Sequence, residues 1–280
     1  MTNWAAVVFA TAEAESAPIQ SRLPAFLHPI AGRPLVWHSI HALTVAANPP
    51  PAIYFIAGPS IPDDIFDDLS FPITFVPAEA LAERSSGLFA ERFERFLVID
   101  AAALVRPAAV AQLVDEPVGS WIPGVSGEIV GGVADGAGLR ALLQMHDPLS
   151  TGNEVFSGEQ RTDFAPLALK VTTRADLATA HARIRDRVVT ALMEAGVTFI
   201  LPESVVIDVG VRIGKDSVVY PGVVIEGQTT IGEETVIGPS CRIIDSWVGS
   251  GVELRGWNYL ANTSIRNRAI LEPYVRRGFE

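Results

Sequence analysis

Lysine is nearly missing from this 280-residue chain: Lys170 and Lys215 are the only two, and arginine supplies the other positive charges. Lys and Arg together number 21 against 32 Asp and Glu, a formal net charge of −11, and no basic block interrupts the sequence. That balance argues against nucleic acid or an anionic membrane as the main partner. Long apolar runs are absent too, and none approaches the roughly eighteen residues that span a bilayer. The opening Met1-Thr2-Asn3-Trp4 has no positive region and no long apolar core, so no secretory signal is expected and the cytoplasm is the default compartment. A lone cysteine, Cys241, excludes an intrachain disulfide, and its position reads as a buried small apolar residue rather than a reactive thiol.

What is present is a beat. Ile207, Ile213, Val219, Ile225, Ile231, Ile237 and Ile243 place a branched aliphatic at every sixth position. Four residues after each from Ile213 on comes a small or β-branched side chain: Ser217, Val223, Thr229, Thr235, Cys241. Neither the helical period nor the strand period fits a repeat of six. It predicts a parallel β-helix with three hexapeptides per coil, each aliphatic stacking on the residue eighteen positions on. Gly214, Gly222, Gly232 and Gly238 lie beside the beat, where corners favour a residue without Cβ. After a skip of one the beat resumes at Val248, Leu254, Leu260, Ile265 and Leu271, giving about four coils. No capping helix follows, and Phe279 is expected to cover the last coil as a plug.

The first two hundred residues alternate short apolar runs with helical stretches, the pattern of an α/β sheet. Ala5–Phe9, Ile53–Ala57, Ile73–Val76, Phe96–Ile99 and Leu167–Val171 read as strands, and Leu35–Ala46 and Ala108–Val114 as helices. Thr173 and Asp176 read as the cap of a helix carrying Leu177, Ile184, Val188, Leu192 and Met193, which ends at Gly196. The expected division is therefore an α/β domain over 1–200 and a β-helix over 201–280. The Gly-rich stretch from Pro117 to Gly158 reads as long loops.

In an α/β sheet, ligands sit beyond the carboxyl ends of the strands. The loop after the first strand, Ala10 to Gln20, has no glycine and no basic residue, and carries Glu13 and Glu15. A phosphate loop needs closely approaching backbone N–H groups and positive charge, and this one offers neither.

Ser21-Arg22-Leu23-Pro24-Ala25-Phe26-Leu27-His28-Pro29-Ile30-Ala31-Gly32-Arg33-Pro34-Leu35 resembles the segment after the signature loop of sugar-phosphate nucleotidyltransferases. The family most similar is the bifunctional N-acetylglucosamine-1-phosphate uridyltransferase/glucosamine-1-phosphate acetyltransferase. Leu192 to Phe199 resembles its interdomain helix end, Ile213 to Gly251 its first coils, and Glu272-Pro273-Tyr274 followed by Arg277-Gly278 the segment just before its acetyltransferase machinery. The resemblance implies a Rossmann-like nucleotidyltransferase domain followed by a short left-handed parallel β-helix, and trimers packed along the β-helix.

Against that pattern the chain departs where chemistry is done. The family's glycine-rich L-A-A-G-x-G-T-R-M loop, which admits and binds the triphosphate, is replaced by a segment with Ala12 and Ala14 in place of glycines and Ser16 or Ala17 near the arginine. Its lysine is Ala25. Its metal-binding aspartate maps to Asp100 or, one residue on, Ala101; the second metal ligand falls near Phe164, with Asp163 beside it. Ser85-Ser86-Gly87 keeps one glycine of the uracil-side G-T-G. A charge-assisted hydrogen bond contributes roughly 1.5–3 kcal/mol. Losing both the arginine and the lysine therefore removes about 3–6 kcal/mol, on the order of 10²–10⁴ in rate. No histidine follows His181, so acetyl transfer is not expected, and His28, His38, His41 and His146 need no catalytic role.

The residues therefore name no catalytic group. Ala10, Thr11, Arg22 and Gly87 remain as a vestigial nucleotide-binding set, and Asp100 as the one metal-ligand candidate. No cofactor is expected unless the chain is active, in which case Mg²⁺ is. The first reading is a catalytically degenerate homologue that binds a nucleotide, a sugar phosphate or a partner and forms a homotrimer through Val218, Val236 and Val224. The alternatives are an active nucleotidyltransferase with a rewired loop and a purely structural assembly subunit.

Overall fold

The computed structural model describes residues 3–10, 19–58, 61–62, 64–78, 91–124, 128–145, 148–163 and 168–278. They form two compact units, Met1–His28 with Pro34–Leu177, and Pro29–Arg33 with Ala178–Glu280. The division falls at Leu177/Ala178, inside the helix whose end at Gly196 set the expected boundary near residue 200.

The first unit is an α/β sheet whose strands are β1 (Trp4–Ala10), β2 (Ile53–Ala57), β3 (Ile73–Pro77), β4 (Arg95–Asp100), β6 (Trp121–Pro123) and β7 (Ile129–Ala134), in the order β3-β2-β1-β4-β7-β6. A short strand β5 (Ala103–Val105) pairs antiparallel with β8 (Ala168–Lys170). The first four strands of the large sheet run parallel and β7 runs antiparallel to β4. All seven residues of β1 are buried, as a strand covered on both faces requires. Helix α1 (Leu35–Thr44) buries Leu35, Val36, Ile40 and Leu43. Helix α2 (Pro107–Leu113) begins on proline, whose missing N–H costs nothing in a first turn.

The stretch expected to be loops holds β6, β7 and helix α3 (Gly136–Leu143), which Asp135 caps by accepting from the Gly138 N–H at 2.7 Å. Its glycines are packing residues. A Cβ on Gly131 would lie 2.8 Å from the Val98 carbonyl oxygen, and one on Gly132 would lie 2.6 Å from the Phe156 ring. Close neighbours, rather than a need to turn, therefore require glycine at these positions.

Helix α4 (Arg174–Glu194) opens with the expected capping box. Thr173 Oγ1 accepts the Asp176 N–H at 3.1 Å, and Asp176 Oδ2 accepts the Thr173 N–H at 2.8 Å. Burial alone would raise the Asp176 carboxyl, but hydrogen bonds from Thr173 and Thr172 outweigh it and hold it below the usual carboxylate range. Ala180, Ile184 and Val189 are its buried residues, while Met193 is exposed and not part of the packed stripe.

The second unit is the left-handed β-helix, built as three parallel sheets of two- and three-residue strands. Ile213 pairs with Ile231 and Ile225 with Ile243, eighteen apart; past the skip, Ile237 pairs with Leu254 and Leu254 with Leu271, seventeen apart. The corner after Ile243 is one residue shorter, and so is the corner after Leu260 one coil later, so the coils past the skip keep the seventeen-residue length. Ile207 to Leu271 form one continuous apolar column with Val197 and Val189 at its head. Ser217, Val223, Thr229, Thr235 and Cys241 are all completely buried, as the spacing predicted.

Hydroxyls in that column bond to the coil above. Ser217 Oγ donates to the Gly232 carbonyl at 3.0 Å and accepts the Thr235 N–H at 3.1 Å; Thr235 Oγ1 donates to the Gly249 carbonyl at 3.0 Å. The corner glycines divide into two kinds. Gly222 has φ +73°, whereas Gly214, Gly232 and Gly238 show no left-handed φ. A Cβ on Gly214 would sit 2.5 Å from the Glu233 nitrogen, so close coil stacking sets this glycine. The left-handed corners fall instead to residues such as Asp216, Glu234 and Ser240. Phe279 lies outside the described residues.

Candidate functional site

The strand order places the first unit's candidate site. The chain runs from β1 outward through β2 and β3, then returns to the other side of β1 with β4, so the crevice lies beyond the carboxyl ends of β1 and β4. Phe9 of β1 registers with Asp100 of β4, and the Ala101 N–H donates to the Phe9 carbonyl at 2.8 Å. Asp100 thus occupies the strand end where ligands of such sheets bind.

Its surroundings are closed. Asp100 is only 3% exposed. One carboxylate oxygen, Oδ1, accepts the Ala102 N–H at 2.8 Å, and the other, Oδ2, lies 2.7 Å from the Lys170 ammonium. Lys170 reaches it because β8 runs antiparallel to β5 with Lys170 opposite Ala103, three residues past Asp100. Both side chains are largely removed from water. A buried pair of this kind depends on its geometry and on the hydrogen bonds that satisfy the remaining lone pairs.

Asp163, the carboxylate beside the other metal-ligand position, is exposed and held by Arg161, with Nη2 to Oδ2 at 2.8 Å and Nε to Oδ1 at 3.1 Å. The Arg161 hydrogen bond keeps the Asp163 carboxyl below the usual range. Among the described residues no three His, Cys, Asp or Glu side chains come together as a metal would require. A divalent ion at Asp100 would face an ammonium 2.7 Å from the oxygen it needs. The donor set as it stands does not fit one.

Of the vestigial nucleotide set, Ala10 ends β1 and is nearly buried, paired with Ala57. Arg22 is exposed. Thr11 and Gly87 lie outside the described residues, as do Glu13, Glu15, Phe164 and His146. His28 is buried, and its pKa is lowered by burial and by the nearby Arg174 guanidinium. His38 and His41 pack against Trp37 in α1. Lys170 is the residue whose part the sequence reading missed. The signal was there: a lysine ending a buried apolar strand almost always has a partner.

The second unit carries a separate cleft of about 640 Å³, lined among others by Gly32, His181, Arg185, Asp208 and Glu226. Asp208 accepts the Gly227 N–H at 2.8 Å. Burial raises its pKa, and the Glu226 and Asp245 carboxylates raise it further. Cys241 lies inside the coils with its thiol 3.6 Å from Asn258 Oδ1, and burial pushes its pKa up, as an inert packed thiol requires.

Comparison with known proteins agrees with the hexapeptide-repeat half of this architecture. The bacterial transferase hexapeptide (six repeats) family matches residues 210–245. The bifunctional protein GlmU of Geobacillus sp. (strain WCH70) is 40% identical over 134 residues, 48% of this chain and 29% of that protein. Over that stretch, about half of its length, the chain is similar to GlmU. The GlmU proteins of Caldanaerobacter subterraneus subsp. tengcongensis and Thermoanaerobacter pseudethanolicus are 38% and 39% identical over 105 residues, 38% of this chain and 23% of each relative. The chain thus spans less than a third of the length of these GlmU relatives. No described helix is long and apolar enough to cross a membrane.

Proposed function

We propose that this chain is a catalytically degenerate sugar-phosphate nucleotidyltransferase homologue: a cytoplasmic homotrimer that binds a ligand or partner and transfers no nucleotidyl group at a useful rate. The observation that carries the reading is the pairing of Asp100, at one metal-ligand position, with Lys170, and of Asp163, beside the other, with Arg161. Phosphoryl transfer works mainly by positioning and by cations that neutralise the phosphates. Here the described cations at those positions neutralise carboxylates instead. The loop from Ala10 to Gln20 adds Glu13 and Glu15 and no cation.

Val218 and Val236 support the trimer. They pair across neighbouring coils on one face and are half-buried in the isolated chain, and Val224 lies on the next sheet beside the exposed Val206. Exposed aliphatic columns of this kind fit an interface. One observation favours the alternative of an active enzyme: Asp100 stands at the strand end where the resemblance puts a metal ligand.

Two measurements test the proposal. Light scattering at micromolar concentration is expected to give three times the 29.9 kDa chain mass, and a value at one chain mass would remove the trimer. Thermal shift with nucleotides, hexose phosphates and nucleotide sugars is expected to raise the melting temperature for at least one of them by mass action. No shift with any of them would leave the structural-subunit reading.

A further inference from the structure

We infer that the edge of the β-helix between its first two sheets faces the threefold axis of the trimer, so that Ile200 of each copy covers the cleft at Val206 of the next. The inference rests on the proposed homotrimer and goes further, to which surfaces meet and what completes the cleft. Face one is the sheet from Thr198–Phe199 to Ile270–Leu271, and face two the sheet from Val206–Ile207 to Arg276–Arg277. Face three runs from Arg212–Ile213 to Ser264–Ile265.

The exposed large apolar side chains of the coils gather on one side of these three faces. Ile200, Tyr220 and Ile270 lie in face one or directly follow its strands, and Val206 lies in face two. Leu201, Trp257 and Tyr274 stand at the corners between the two. Trp257 and Tyr274 stack there with ring centroids 5.6 Å apart, and both rings stay at least half exposed. Among the described residues, Trp247 is the only member of this group on face three. Single exposed apolar side chains are ordinary, but a set gathered along one edge marks an interface.

A second copy of this chain is the occupant that fits. Rotation about an axis parallel to the coils moves nothing along them, so face one of one copy meets face two of the next at equal height. Ile200 and Val206 share the first coil, and Val218 and Val224 the second, so aliphatic meets aliphatic. At the far end Arg255 bonds both Glu253 and Glu272, at 3.0 and 2.8 Å, which leaves face one a surplus negative charge. Arg242 pairs with Glu226 at 2.7 Å and Arg276 lies over the Tyr259 ring, which leaves face two a surplus positive charge. Opposite surpluses at the same end favour this register. Val206 also forms part of one wall of the cleft of about 640 Å³, with Ala178 and Ala182 of α4 on another. Ile200, 52% exposed in the single chain, arrives from the next copy at the height of Val206 and closes the apolar side of that cleft.

The test compares Tyr220→Glu, inside the covered edge, with Trp247→Glu, outside it, in the full chain. Both replace exposed side chains, so the apolar column is untouched. Sedimentation is expected to find the wild type and Trp247→Glu trimeric at micromolar concentration. Tyr220→Glu is expected to assemble about thirtyfold more weakly, the scale of a central interface residue. A trimer that survives Tyr220→Glu would overturn the inference, whatever Trp247→Glu does. If Tyr220→Glu does not fold, Ile200→Glu takes its place under the same criteria.

Maleimide labelling then reads the cleft. Cys241 is buried, so a thiol introduced by Val206→Cys or Trp247→Cys is the accessible one. Val206→Cys is expected to react about tenfold more slowly in the trimer than in the Tyr220→Glu background, because labelling follows the open population. Trp247→Cys is expected to react equally in both. A trimer in which Val206→Cys stays as reactive as in that background would leave the cleft open to solvent and overturn the inference alone. A wild type at one chain mass would sink the trimer reading itself.

Discussion

The two units satisfy buried polar groups in opposite ways. In the β-helix, each inward hydroxyl bonds to backbone one coil away, as Ser217 does with Gly232 and Thr235. The same solution repeats up the column. In the α/β unit a buried ion pair joins Asp100 and Lys170, seventy residues apart in sequence. The repeated arrangement spreads dependence over many weak, near-equivalent contacts, and a solenoid coil leans only on its neighbours. The ion pair concentrates dependence in two side chains, and removing either strips a buried charge of a close opposite charge.

Substitutions can break that contrast, and the largest effect is expected at the ion pair. Lys170→Met should lower the unfolding free energy by about 3–5 kcal/mol, and Lys170→Met/Asp100→Asn by distinctly less, because the double change leaves no charge stranded. Urea unfolding checks this; equal losses in the two proteins would mean that the pair is not coupled.

In the β-helix, Ile237→Ala removes a fully buried side chain and should cost about 2–5 kcal/mol. The difference should be in its reach. Hydrogen exchange is expected to rise in the strands that pair with Ile237, around Val219 and Leu254, and not in β1 or β4. Exchange rising equally everywhere would show that the coils do not respond locally.

The smallest effect concerns acid. Asp208 has a folded pKa above its unfolded value, so in the window between them the folded state holds more protons than the unfolded chain. Its contribution to stability is therefore full below the unfolded value and is lost as pH rises through the raised folded value. Asp208→Asn, which keeps an acceptor for the Gly227 N–H, should remove that slope, and thermal melts across mildly acidic pH should show the variant losing less stability than the wild type as pH rises. Parallel curves would contradict the assignment.

The β-helix was legible almost residue by residue because its rule is local: a beat of six, with inward positions that repeat. Even the seventeen-residue coils follow from the five-residue steps between Ile243 and Val248 and between Leu260 and Ile265. The α/β unit was legible where strands are continuous apolar runs, as at β1 and β2. It was not legible at β7, where Gly131 and Gly132 look like loop residues because the reason for them, the Val98 carbonyl and the Phe156 ring, lies far away in sequence. The candidate site has the same limit. Asp100 could be picked out as a strand-end carboxylate, but its partner is set by the antiparallel pairing of β5 with β8, a contact that no spacing reveals. The corner glycines mislead in the other direction: a residue expected for its backbone freedom proves, at Gly214 and Gly232, to be required by the next coil's backbone.

The measurement that bears most directly on the account is a pyrophosphate-release assay. The full chain is incubated with Mg²⁺, each common nucleoside triphosphate, and hexose or hexosamine 1-phosphates in turn. With Asp100 neutralised by Lys170 and no cation in the loop from Ala10 to Gln20, release is expected to stay at the level of a control without protein. Steady Mg²⁺-dependent turnover near about one per second, within the ordinary range for enzymes, with any pair would contradict it.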